Sequence, residues 1–364
     1  MHELPPPLDL SYDRSDLPLL DAWKEACGST TPSTIVIPEG TYLLSQATLE
    51  GPYKAPIEHQ LEGNVKAATD PKAFKEPKWV SFLHVENFKL FGGGAFDGQR
   101  TASYKREGCE KHDFCSNLPI ISKHNVRFDY LTNAMVQGIT LRDSKQFHAN
   151  VLGCKNITFE HEIVSAPKDS SNTDGIHIGR SDGVKIIDTY IKIGDDCILI
   201  GDGAKNLDIT GVTCGPGHGI SIGSLGKFAN EEPVEGIKVS KCTLTDTSNG
   251  VRIKTWAGQF PGTASDIHFE DITVKNVSCS VLIDQKYCPW NKCKMDEESN
   301  VKLSNISFKN IHGTAALPEV VKLVCSGTFP CENVELADFD ITFSGPDGPA
   351  KSECKNVKPI VTGK

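Results

Sequence analysis

The residues best suited to chemistry lie between positions 172 and 254. Four short blocks follow one another there: Asn172-Thr173-Asp174-Gly175, Gly194-Asp195-Asp196-Cys197, Gly217-His218-Gly219 and Arg252-Ile253-Lys254. Asp174 precedes Asp195 by 21 residues, Asp196 precedes His218 by 22, and His218 precedes Arg252 by 34. Repeat lengths of about 20 to 50 residues indicate a solenoid whose coils stack. Parallel strands in such a stack lie about 4.8 Å apart, so residues one coil apart in sequence become neighbours in space. Three carboxylates, an imidazole, a guanidinium and an ammonium would then share one face.

Carboxylates gathered this way cannot all ionise cheaply, and like charge pushes one pKa upward. One aspartate is then expected to keep its proton while another stays charged. Hydrolysis of a glycosidic bond needs that asymmetry, with an acid for the leaving oxygen and a base or nucleophile across the sugar. Neighbours on a strand face opposite sides, so a strand end or bulge is needed to present both Asp195 and Asp196. His218 lies between two glycines, which leaves backbone room for close approach of a ligand. It either hydrogen-bonds an aspartate or contacts the sugar. Arg252 and Lys254 are two residues apart and face the same way. They either balance the aspartates or bind an anionic substrate, for which a guanidinium matches a carboxylate bidentately. Tyr287, 33 residues beyond Lys254, would stand on the next coil as an aromatic wall.

The elements that must position these residues are short strands. Thr34–Pro38, Thr41–Leu44 and Val80–Val85 are β-rich. From residue 120 one unit recurs, a turn residue (Asn, Gly or Asp) followed by apolar-polar-apolar alternation. It begins at Asn125, Asn156, Gly183, Asn206, Gly236, Asp266, Asn300 and Asn333. The intervals leave no room for helices, and the expected architecture is an all-β parallel β-helix of about ten coils. One domain is expected over 1–364, with coils from 34 to 345. Asn at the strand-leading turns tolerates left-handed geometry and can stack along the coils. A short helix over 15–28, capped by Ser15 or Asp16 and carrying Leu20, Trp23 and Cys27 on one side, is expected to plug the first coil. Residues 51–78 and 100–118 read as projecting loops. The stretch 346–364 reads as a tail tucked over the last coil.

The net charge is −9, and no basic cluster with interleaved aromatics is present, which argues against a nucleic-acid partner. No apolar run of about 18 residues suggests a membrane span. Residues 1–7 have neither the basic start nor the apolar core of a signal peptide. Thirteen cysteines nevertheless fit disulfides formed in an oxidising compartment. The candidate pairs are Cys197–Cys214, Cys288–Cys293, Cys325–Cys331 and Cys109–Cys115. Acceptor sequons at Asn156, Asn276 and Asn305 agree with secretion. There is no Cys-x-x-Cys, so no metal site is expected from the cysteines.

The four blocks, in this order, resemble the signature of the polygalacturonases, pectin-cleaving glycoside hydrolases. Gly223-Ser224-Leu225-Gly226 and Gln285-Lys286-Tyr287-Cys288 resemble the plant branch. Gly258–Ala264 and Tyr287–Cys293 are similar to the pollen exopolygalacturonases, some of which are allergens that bind IgE. The resemblance covers about residues 30 to 345. It implies a right-handed β-helix and hydrolysis of α-1,4-linked galacturonic acid with inversion, without metal or cofactor. Asp195 would be the general acid, Asp174 and Asp196 would hold the attacking water, and His218 would assist the acid. Asn172, Arg252, Lys254 and Tyr287 would bind sugar and carboxylate. The expected partner is pectin or polygalacturonate, acted on by a secreted monomer of the cell wall. Exo action is expected; endo action is the alternative within the class, and a catalytically silent pectin-binding wall protein is the alternative outside it.

Overall fold

A computed structural model describes residues 2–3, 17–69, 73–74, 76, 78–100, 124–170, 172–289, 293–294, 296–346 and 348–363. Its strands stack in parallel, coil on coil, as a right-handed parallel β-helix. Among the described residues one sheet holds eleven strands, close to the coil number expected. By compactness the chain divides into two units, Met1–His177 with Ile187–Asp195, and Ile178–Ile186 with Asp196–Lys364.

In the first unit the helix spans Leu17–Gly28. Its capping residues 15 and 16 lie outside the described residues. Leu19, Trp23 and Ala26 form the buried stripe, whereas Leu20 and Cys27 sit at its margins. Trp23 makes edge contacts with Phe82 at 6.4 Å and Phe88 at 6.2 Å, and its indole N–H donates to the Glu50 carbonyl at 3.0 Å. Phe82 then stacks on Phe128 at 5.7 Å, and Phe128 meets Phe159 edge-on at 5.3 Å. The helix therefore closes an aromatic column that would otherwise face water.

The stretch 51–78 is not a simple projecting loop. It holds strands Ile57–Leu61 and Asn64–Ala67, paired in parallel with Ser33–Ile37 and Thr41–Leu44. Ile57, His59 and Leu61 point inward, and a histidine in the middle of the apolar face disguised the alternation. Of the other expected loop, residues 101–118, including Cys109 and Cys115, lie outside the described residues.

In the second unit, register produces aliphatic columns. Ile198 pairs with Ile220, Ile220 with Val251, Val251 with Val281 and Val281 with Val321. Beside them run Ile200, Ile222, Ile253, Ile283 and Leu323, all buried. Each such side chain contributes about 1.5–3 kcal/mol by leaving water. The end of the chain continues this unit rather than lying across it. Lys351–Lys355 pairs with Glu319–Val324, and Ile360–Thr362 with Glu332–Thr342. The alternation there is masked because these residues are exposed on both faces.

The asparagine turns stack as expected. Asn156 donates to Asn133 Oδ1 at 2.7 Å, Asn206 to Asp182 Oδ1 at 2.7 Å, and Asn333 to Asn305 Oδ1 at 2.8 Å, with φ near 50° at each of these asparagines. Two members of the expected series do not belong to it. Asn125 is buried in the other sheet and donates to the Arg142 carbonyl, while Asn300 donates to Gln259; Asn133 and Asn305 occupy the ladder positions instead.

Candidate active site

The Asp174 and Asp195 blocks lie on adjacent coils of the first unit. The Gly194 N–H donates to Thr173 Oγ1 at 3.3 Å, and Thr173 Oγ1 also donates to the Ser170 carbonyl at 2.6 Å. A side chain on Gly194 would strike the Ser170 carbonyl oxygen at 2.1 Å, so the close approach requires glycine here. Asp174 is buried, and the backbone of Asn172 is left-handed with φ 53°. The Asp174 carbonyl lies 2.9 Å from Nδ1 of His148, a fully buried ring whose pKa burial lowers to about 4. Nothing in the sequence around His148 marked it, since its partner is a backbone carbonyl 26 residues away.

In the second unit Asp196 is the centre of a charged knot. Arg252 Nη2 donates to Asp196 Oδ1 at 2.7 Å, and Lys254 Nζ donates to Oδ2 at 2.7 Å. The Ser221 hydroxyl donates to Oδ1 at 2.7 Å and accepts from Arg252 Nε at 3.0 Å. Asp196 is 1% exposed, Lys254 5% and Arg252 9%, so none of these charges is left to water for stabilisation. Burial alone would raise the Asp196 carboxyl. The charges of Arg252 and Lys254, with hydrogen bonds from Lys254 and Ser221, outweigh it and hold the group well below the usual carboxylate range.

Strand geometry explains the knot. On Asn249–Trp256, Val251 and Ile253 enter the aliphatic columns, which turns Arg252 and Lys254 to the opposite face. Ser221 pairs directly with Arg252 across the ladder. It was not singled out from the sequence, although Gly219-Ile220-Ser221-Ile222 places it on the same face one coil earlier. Arg252 and Lys254 thus balance an aspartate, the first of the two roles the sequence left open.

Asp195 and Asp196 are joined by a peptide bond. Within the second unit, a carboxylate oxygen of Asp196 and a ring nitrogen of His218 lie within 4.8 Å of each other. His218 is partly exposed, and its following residue Gly219 has φ 91° with the Asn249 carbonyl 2.2 Å from where a Cβ would stand. Tyr287 stands opposite Trp256 on the next coil, with Lys254 Nζ 5.2 Å from its ring centre. Disulfides Cys197–Cys214, Cys288–Cys293 and Cys325–Cys331 are formed. The first anchors the residue that follows Asp196. Asn156, Asn276 and Asn305 are exposed, each with a positive φ.

Chemically, the arrangement offers an anion that cannot take up a proton easily, with an imidazole near it and a second carboxyl next to it in sequence. That is the division of labour needed for acid-assisted hydrolysis.

The sequence matches Glycosyl hydrolases family 28 over residues 27–363. It is 65% identical over 347 residues to a polygalacturonase of Gossypium hirsutum, covering 95% of this chain and 84% of that protein. It is 54% identical over 347 residues to an exopolygalacturonase of Oenothera organensis, covering 95% of each. Among solved structures, an endo-xylogalacturonan hydrolase from Aspergillus tubingensis superposes with a TM-score of 0.77 at 25% identity, covering 94% of this chain and 92% of that one. The chain therefore belongs to glycosyl hydrolase family 28 and is a glycoside hydrolase.

Proposed function

We propose that this enzyme is an exo-acting polygalacturonase that releases galacturonic acid from the ends of pectin or polygalacturonate chains with inversion. The observation that carries the reading is the Asp196 carboxylate, clamped as an anion by Arg252, Lys254 and Ser221 next to Asp195 and His218. Asp195 then delivers its proton to the glycosidic oxygen as the C–O bond breaks. A water held by Asp174 and Asp196 attacks the anomeric carbon from the other face and gives up a proton to Asp174, while Asp196 stays ionised. His218 assists the acid, while Asn172, Arg252, Lys254 and Tyr287 bind the uronate. Exo action is supported by relatives that carry that name at about half identity or above. Three disulfides and three exposed sequons support a secreted, N-glycosylated protein of the cell wall. The resemblance of Gly258–Ala264 and Tyr287–Cys293 to pollen exopolygalacturonases supports recognition by IgE.

The test is product sizing on defined oligogalacturonides. Monomer alone from the first time point supports exo cleavage, whereas early dimers and trimers indicate endo cleavage. Asp195→Asn is expected to lower kcat by about 10²- to 10⁴-fold, the share that general acid catalysis supplies. Near wild-type turnover by that variant would remove Asp195 from the role of acid. Absence of reducing-sugar release by the wild type would favour a silent wall-binding protein.

A further inference from the structure

Because Arg252 and Lys254 both donate to Asp196, a polyanionic substrate needs further positive charge along its path. A chain of contacts leads from Asp196 to a cation that meets this need. Lys254 Nζ lies 5.2 Å from the centre of the Tyr287 ring, and Tyr287 meets Trp256 edge-on at 6.2 Å. Lys227 Nζ lies 5.1 Å from the centre of the Trp256 ring and 5.0 Å from that of Phe228. Phe228 is 62% exposed, so the track ends at the surface.

The segment is built rather than loose. The Glu231 carboxylate accepts the backbone N–H groups of Gly226 at 2.6 Å, Lys227 at 3.0 Å and Phe228 at 2.9 Å. The Phe260 N–H donates to the Gly226 carbonyl at 3.0 Å, joining the segment to the next coil. Trp256 is fixed by donation of its indole N–H to Ser224 Oγ at 2.9 Å. An ammonium over two ring faces is held by the ring quadrupoles, which satisfy it without neutralising its charge. Its donors remain suited to an incoming carboxylate.

We propose that Lys227, poised over Trp256 and Phe228, is a second carboxylate-reading cation that binds a uronate residue of the substrate beyond the one seated over Asp196. Phe228 supplies the apolar face for that sugar ring. This rests on the polygalacturonate reading above, and makes Lys227 a specificity-determining residue rather than a catalytic one.

The test compares the full-length wild type with Lys227→Gln, Lys227→Arg and, as a control for bulk charge, Lys309→Gln, a half-buried lysine paired with Glu335. Kinetics on polygalacturonate and calorimetric binding of trigalacturonate are measured for each. Lys227→Gln is expected to raise KM and Kd about three- to fivefold, the range of one partly exposed ion pair, with a smaller change in kcat. Lys227→Arg restores most of the loss, and the gap narrows as salt is raised. A Lys227→Gln enzyme with the KM and Kd of wild type and of Lys309→Gln overturns the proposal while leaving the polygalacturonase reading intact. A wild type that binds trigalacturonate but does not cleave it overturns that reading, and Lys227 is then judged on Kd alone. A wild type that neither binds nor cleaves overturns both.

Discussion

The Lys254 ammonium donates to Asp196 Oδ2 across 2.7 Å while Arg252 holds the other oxygen, and all three charges are buried. The result is a carboxylate whose ionised form is enforced by two cations from a single strand, Asn249–Trp256. Removing one cation leaves a charge deficit in a site closed to water.

Lys254→Met is therefore expected to cost about 3 kcal/mol of stability, the lower end for breaking a buried pair, because Arg252 remains. The pH dependence has a definite sign. The Asp196 pKa is depressed in the fold, so its contribution is present above the unfolded aspartate value of about 3.9 and is lost as pH falls below it. Urea midpoints of the wild type should show no Asp196 loss between pH 7 and about 4. In Lys254→Met the carboxyl pKa moves upward toward the unfolded value, so the loss below about pH 4 is smaller than in the wild type.

Ser221→Ala removes a hydroxyl that donates to Asp196 and accepts from Arg252. The buried partners left behind cost about 1–3 kcal/mol in stability. If the carboxylate swings with the lost contact, kcat falls on the order of tenfold while KM changes less. Steady-state kinetics on oligogalacturonides with parallel thermal melts separates this from simple unfolding.

His59 is buried in the inward face of Ile57–Leu61, and burial lowers its pKa to about 4. The unfolded chain takes up the proton near 6.5 while the native ring refuses it, so stability falls as pH drops from about 6.5 toward 4. At pH 5 the loss is on the order of 2 kcal/mol relative to pH 7. His59→Leu is expected to flatten this part of the stability profile, as read by denaturant titration at the two pH values.

Asp196 and His218 lie close enough to share a metal ion, but both Asp196 oxygens are already engaged by cations. A divalent ion placed there would meet a guanidinium and an ammonium at close range. Activity on polygalacturonate is expected to be unchanged by excess chelator. A chelator-sensitive rate restored by calcium would require a different site.

Much of the fold was legible because strand alternation and turn residues are local properties. Thr41–Leu44 is a strand as expected, and the ladder through Asn156, Asn206 and Asn333 occupies the expected turns. The failures were local ambiguities of the same code. His59 interrupted an apolar face and hid a coil, and Asn125 and Asn300 imitate the ladder residue one strand away from it. Ser221 and His148 escaped notice because their partners are not near them in sequence.

By itself the order of amino acids determined the stacked architecture and the family of residues gathered at the site, since period-two burial and repeat length need no knowledge of distant contacts. Only the tertiary structure decided how the charges are shared. Asp196 meets Ser221, Arg252 and Lys254 across separations of 25, 56 and 58 residues, and those meetings depend on the register of successive coils. A slip of one residue would turn Arg252 into the apolar interior and Ile253 out, which is why the sharing of charge is a property of packing.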